Sequence, residues 1–481
     1  MNTLLIALIA AGAGLLYGAY LIWNVLRAGS DNNNEFDELV GEESENISIV
    51  PFYMKKENSL MLAIGILIAA VLGRWDSGIM AIAFAVGAVI SSVAWWIGVA
   101  VSARAKSLGH RSGTIMGFFV AGLALASVAG FYWIVPNVQA LVALSFGAVL
   151  ISVFARLSAD VEGGISSDIF ATYVASLSLI MFLANILLPN ITNLTTLPLL
   201  IGAISIGAAI IGSFAGAFPR GLVLTGIISI AAFRVLTINM PFIRDIGASA
   251  GAAIFWSLTF GTLVAVFIAL LAKYYIGKPS RSMEAVVLPA IMVGAAVYGA
   301  YWFAGIYGVA LSVVSMVSMA GMIIVADESG LPDGKAGHII KEITNTFAIT
   351  TAGLGAIVLF GTFAQKLSEA GTNTLFQLSD ARLIIGLTIG SAMPYLFESL
   401  AVRKTSKAIV VLVPIAFAFL IGFLLGPESL GGFILGAIIT GFLFAISLIF
   451  GEDKKRAVIG SAINPMVRAV SLAAILVATF L

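Results

Sequence analysis

Apolar residues run through this chain in long blocks, cut by short polar segments or by clusters of proline, glycine and asparagine. A helix needs about 20 mostly apolar residues to cross roughly 30 Å of hydrocarbon, and the blocks have that length. Cutting the chain at charge and at Pro/Gly/Asn clusters predicts sixteen spans, at about 3–26, 59–73, 79–102, 113–135, 139–157, 168–188, 197–218, 220–238, 246–272, 284–303, 305–325, 345–364, 382–402, 408–425, 431–450 and 457–480. The fold class that follows is an all-α polytopic membrane protein with a single domain over residues 1–481. The first span has no basic n-region and no clear small-residue cleavage site, so it reads as a retained helix and not as a removed signal peptide.

Composition agrees with the pattern. The 481 residues are 60% hydrophobic and 10% charged, against about 25% charged in an ordinary soluble domain. Zero cysteine and 25 basic against 24 acidic residues exclude a disulfide scaffold, a thiolate metal site, a cysteine nucleophile and a nucleic-acid partner held by charge. The lipid bilayer is the expected partner, and the expected location is a cell membrane, as an integral multi-pass protein.

Charge changes the picture through its distribution. Lys and Arg collect in cytoplasmic loops. Nineteen of the 25 follow odd-numbered spans, four (Arg74, Arg244, Lys366 and Arg382) follow even-numbered spans, and Arg234 and Arg468 lie inside spans. A miscounted span would scramble that alternation, so the expectation is an even number of spans with both termini non-cytoplasmic. Residues 28–58, with Asp31, Glu35, Asp37, Glu38, Glu42, Glu43 and Glu45, read as an acidic, flexible cytoplasmic loop. Small residues such as Ala10-Ala11-Gly12-Ala13-Gly14, Gly202-Ala203 and Gly207-Ala208 predict close helix packing.

A charge in hydrocarbon costs about 2.5–3.5 kcal/mol on insertion scales, so each intramembrane ion is a candidate site. Arg156 closes span five, Asp168 opens span six, Arg234 lies in span eight, Glu398 late in span thirteen, and Arg468 follows Asn464-Pro465 in span sixteen. Asp168 can pair with Arg156 or Arg468 to fix helix register, or these groups can line an ion path. No Walker loop or His-Glu-x-x-His motif is present, and His110 and His338, the two imidazoles, fall in loops. Asp327-Glu328 with Asp333 is the carboxylate cluster near the interface that could hold a hard cation such as magnesium; a capping acidic turn is the favoured reading.

Several stretches resemble the ion-translocating membrane pyrophosphatases, which pump protons or sodium: Phe146-Gly147-Ala148 through Arg156, Gly163-Gly164-Ile165-Ser166-Ser167-Asp168 through Val174, Ala304-Gly305-Ile306-Tyr307-Gly308 on to Asp327, Gly330 and Ala336-Gly337, Gly390-Ser391-Ala392-Met393-Pro394, Gly426-Pro427-Glu428-Ser429, and Ser461-Ala462-Ile463-Asn464-Pro465 through Arg468. They keep the family's order over nearly the whole chain. The resemblance implies a sixteen-helix bundle with both ends outside the cytoplasm, and a homodimer. It also implies magnesium-dependent hydrolysis of pyrophosphate at cytoplasmic helix ends, because a tetra-anion needs cations and fixed positive groups.

This chain departs from the family where that chemistry would sit. Eleven residues, Leu157 to Ser167, stand in place of a long Asp-rich insert; the family's Asp-Asn pair falls on Gly334 and Lys335, and its substrate-contacting lysine on Ala352. Glu452-Asp453-Lys454-Lys455-Arg456 replaces an Asp-Asn-Ala-Lys motif, and the Asp-rich stretch before the last helix is missing. Asp327 alone is a remnant of the metal site. Asp168, Arg156 and Arg468 match the family's ion-gate residues, whereas its gate glutamate falls on Ala171 or Ala175. The expectation is a shortened, degenerate member without catalytic residues and without a required cofactor, magnesium entering only with residual pyrophosphate binding. It would act as a membrane scaffold or as an accessory subunit bound to another protein; the alternatives are an ion transporter or channel and, less favoured, an active pyrophosphate-driven pump.

Overall fold

The computed structural model describes residues 3–27, 56–75, 78–107, 112–158, 161–189, 191–214, 220–241, 243, 247–275, 282–327, 355, 358–368, 376–403, 405–449 and 454–478. Among the described residues every regular element is a helix. The long helices are α1 (Thr3–Arg27), α2 (Lys56–Trp75), α3 (Gly78–Ser107), α4 (Ser112–Ile134), α5 (Val138–Leu157), α6 (Val161–Leu187), α7 (Leu197–Phe214), α8 (Arg220–Asn239), α9 (Ala248–Tyr275), α10 (Ser282–Asp327), α11 (Ala381–Val402), α12 (Lys407–Leu425), α13 (Pro427–Ile449) and α14 (Lys454–Val477). Thirteen helices among the described residues are long and apolar enough to cross a membrane, and Met61–Arg74 is a shorter apolar helix. The expected span 345–364 falls mostly outside the described residues, as does the acidic loop, of which only residues 56–58 are described, as the start of α2.

The 46-residue run α10 would be about 69 Å long as one straight helix, more than twice the hydrocarbon thickness. It is instead a hairpin. Ala304 (φ −143°, ψ 26°) and Gly305 (φ 58°, ψ −149°) break it. α9 runs antiparallel to the arm before the break, with Trp256 stacked on Phe303 and Phe260 against Gly299. It runs parallel to the arm after it: the Ser312 hydroxyl donates to the Ser257 carbonyl at 2.7 Å and Ser315 to that of Leu258 at 2.9 Å. A positive φ at Gly305 is where a residue without Cβ is needed. The boundary expected between 303 and 305 is this turn.

The directions of packed neighbours alternate along the chain. α1 lies antiparallel to α4 through Gly14 on Gly122 and Gly18 on Phe119, and parallel to α7 through Thr3 with Thr196 (2.8 Å) and Tyr17 with Ser213 (3.2 Å). α3 and α5 are parallel, with Phe84 on Phe146 and Trp95 on Phe154. Local sequence sets the ends: Asn137 caps α5 by accepting from the amides of Gln139 (2.9 Å) and Ala140 (3.3 Å), and Asp380 caps α11 through the Arg382 amide at 2.8 Å.

α11 and α13 form the closest clasp. Gly386 and Gly390 face the carbonyls of Ser429 and Phe433, while Gly432 and Gly436 face those of Leu383 and Leu387, so near that any Cβ would overlap them. These are two small-x-x-x-small pairs meeting in parallel. Of the small residues expected to mark contacts, Gly14 and Gly202 do pack tightly, but nothing lies within 4 Å of where a Cβ would stand on Gly12 or Gly207. Several buried hydroxyls are satisfied within their own helix: Ser145, Thr225, Thr262 and Ser471 each donate to the carbonyl four residues earlier, whereas those of Ser178, Ser205 and Ser229 have no partner among the described residues.

α5, α6 and α14 occupy the middle. Nearly every residue of Val138–Leu157 is buried, as are most of Ser166–Leu187 and Val458–Val477, together with Tyr307 to Ser318 of the second arm of α10.

Candidate ion-pair site at the bundle centre

Helical spacing brings polar side chains to one place from these central elements. Ser152 and Arg156 are four apart on α5, and Asp168 and Thr172 are four apart on α6, so each pair shares a face. Arg468 approaches from α14. α6 begins at Val161, earlier than the expected start at Asp168, so Asp168 lies well inside the helix and not at its opening. Gly163-Gly164 and Ser166-Ser167 look like a loop in the sequence, but here they lie within the helix; Ser167 is buried and shares a hydrogen bond with Ser91 of α3 at 2.9 Å, and Ser91 also donates to the Ala148 carbonyl at 3.0 Å.

Both oxygens of Asp168 are committed. Arg156 donates to Oδ2 through Nη2 at 2.8 Å and Nε at 3.3 Å. Ser152 donates to Oδ1 at 3.1 Å, and Arg468 Nη1 lies 3.4 Å from the same atom. Arg468 Nη1 also donates to the Thr172 hydroxyl. The side chains of Arg156, Asp168 and Arg468 are 8–9% exposed. A carboxylate has about four lone-pair sites, and these donors fill them, which leaves Asp168 little capacity to take up a proton or a metal cation without displacing a guanidinium. Two guanidiniums face one carboxylate, and Arg does not deprotonate in proteins, so the cluster carries one surplus positive charge among the described residues.

The five intramembrane charges singled out in the sequence therefore divide. Arg156, Asp168 and Arg468 are brought together. Arg234 is exposed, with its guanidinium 5.2 Å from the centroid of the Phe255 ring, the position of a long cation lying along an apolar surface. Glu398 lies 3.4 Å from Arg456, itself 57% exposed. Lys366 was placed in a loop by the sequence reading, but it is buried at the end of the 358–368 helix, 5.7 Å from the centroid of the Phe182 ring. A single Lys at the edge of an apolar run reads as interfacial, and no local signal marks it as buried.

The comparisons with known proteins follow this geometry. The model of the inorganic H+ pyrophosphatase family matches residues 13–165 and 332–413. A K(+)-insensitive pyrophosphate-energized proton pump of Methanosarcina mazei is 23% identical over 90% of this chain and 87% of its own length. That of Pyrobaculum aerophilum is 24% identical over 91% and 87%. The chain is similar to the membrane pyrophosphatases over most of its length. A putative K(+)-stimulated pyrophosphate-energized sodium pump of Clostridium tetani is also similar, at 21% identity over 85% of this chain and 76% of the pump. The alignment with the Methanosarcina pump runs over 605 positions, more than the 481 residues of this chain, so that relative has segments this membrane pyrophosphatase homologue lacks. The family and the apolar helices together make it an integral, multi-pass membrane protein.

Membrane pyrophosphatases imply magnesium. Among the described residues no three His, Asp or Glu side chains converge to hold a metal ion. Asp327 closes α10, with its side chain outside the described residues. Glu328, Asp333, Gly334, Lys335 and Ala352 also lie outside them.

Proposed function

We propose that this protein is a membrane pyrophosphatase homologue that does not hydrolyse pyrophosphate and serves as a membrane scaffold or accessory subunit. It would be a sixteen-span bundle with both termini outside the cytoplasm, associating as a homodimer and binding a further membrane protein. The observation that carries this reading is the saturation of Asp168 by Arg156, Ser152 and Arg468. A pump must release and rebind its cation at a carboxylate, and here the carboxylate is held as a structural counter-ion. The residue types at Gly334, Lys335 and Ala352 support it as well, since phosphoryl chemistry by positioning and charge stabilisation needs the whole constellation. Magnesium would be bound only if some pyrophosphate binding persists.

The deciding experiment is phosphate release by the purified protein in liposomes given magnesium and pyrophosphate. The expected result is background release; turnover lost in Asp327→Ala would overturn the proposal. Co-purification from gently solubilised native membranes then tests the scaffold role: a complex larger than a homodimer is expected, and recovery of the homodimer alone would count against a stable partner.

A second reading, ion passage through the bundle, is favoured by the three charges buried at its centre and by the pump names of the relatives. It requires flux in proteoliposomes that falls in Asp168→Ala. Equal background flux in both proteins removes it.

A further inference from the structure

Beside Arg468 lies a small cavity of about 20 Å3. A space open to water-sized groups admits one water or one halide ion. Its polar lining is Arg468, Thr172 and Ser176; Ala175, Val313 and Leu472 are among its apolar walls.

Charge and hydrogen bonding point to the occupant. The neighbouring cluster holds two guanidiniums and one carboxylate, all nearly buried, and an uncompensated charge away from water is costly. The Thr172 oxygen accepts from Arg468, which leaves its own O–H to donate elsewhere, and it lines the cavity. Ser176 donates to the Thr172 carbonyl at 2.7 Å and can turn to donate into the cavity instead, since a hydroxyl rotates to suit its surroundings. A cation would meet Arg468 at close range and no carboxylate among the lining residues.

We propose that this cavity binds one small monovalent anion of the halide class, held by Arg468 and Thr172, which neutralises the surplus charge of the Arg156, Asp168 and Arg468 cluster. The site does not depend on whether the protein hydrolyses pyrophosphate or binds a partner. Full-length protein in a non-ionic detergent is moved into sodium gluconate, whose anion is too large to enter, and titrated with sodium chloride at constant ionic strength. The unfolding midpoint is expected to rise by a constant increment for each tenfold increase in chloride above the dissociation constant, and bromide to substitute for chloride. Ala175→Glu, which places a carboxylate in the cavity, should lose that response. Should Ala175→Glu fail to fold, equilibrium dialysis of the wild-type protein with radioactive chloride decides: one chloride per chain, displaced by bromide, is expected. A midpoint indifferent to exchanging gluconate for chloride, or no bound chloride, overturns the proposal.

Discussion

Arg468 on α14 and Asp168 on α6 meet at 3.4 Å across 300 residues of sequence. Asp168 is the one negative group described in the cluster. Asp168→Asn, which keeps the shape but leaves both guanidiniums without a counter-charge, is expected to destabilise the protein by about 3–5 kcal/mol. Arg156→Met leaves Arg468 and Asp168 matched one to one and should cost less. Thermal unfolding of both variants in detergent checks the order, and a reversed order would show that charge balance does not govern this site.

The clasp of α11 and α13 depends on backbone contact. Gly390→Leu must push α13 away from the Phe433 carbonyl, and overpacking of this kind costs about 1–3 kcal/mol or more. Gly207→Ala, with nothing within 4 Å, should be neutral or slightly stabilising. Comparable losses in the two variants would mean that the Gly390 contact is not tight.

At the α10 hairpin, Gly305→Ala forces a side chain onto a backbone with φ 58° and ψ −149°, at about 1–3 kcal/mol. Gly294→Ala, on the arm before the turn and in open space, is the control and should not lower the unfolding midpoint. An unchanged midpoint in Gly305→Ala would argue for a continuous bent helix.

Arg456 is another arginine paired with a carboxylate, Glu398, but it is 57% exposed. Exposed pairs contribute about 0–1 kcal/mol, so Arg456→Ala should change stability by less than about 1 kcal/mol, with an effect that shrinks further at high salt. A loss as large as that of Asp168→Asn would contradict this division between rim and centre.

The thirteen spans found among the described residues were legible because lipid imposes a length and a polarity on every crossing, and the turn at Ala304-Gly305 coincides with the expected boundary between two predicted spans. The meeting of Asp168 with Arg156 and Arg468 was legible as a pairing, because buried charges need partners. The early start of α6 was hidden: Gly163-Gly164 and Ser166-Ser167 have loop-like composition, and the group that satisfies Ser167, the Ser91 hydroxyl, lies on another helix. Contacts at Gly386, Gly390, Gly432 and Gly436 were likewise hidden among 50 glycines, because which glycine meets a neighbouring backbone is decided by rotation and register between helices and not by local spacing.

The order of synthesis gives the central cluster a further meaning. Arg156 and Asp168 emerge within one helical hairpin, α5 followed by α6, and their 2.8 Å contact lets that pair enter the bilayer without net charge. Arg468 leaves the ribosome after them, with its surplus charge, and meets a carboxylate already paired with Arg156. A chain truncated before α14 should thus insert the α5–α6 hairpin with this pair charge-balanced, and α14 then brings the surplus charge to it.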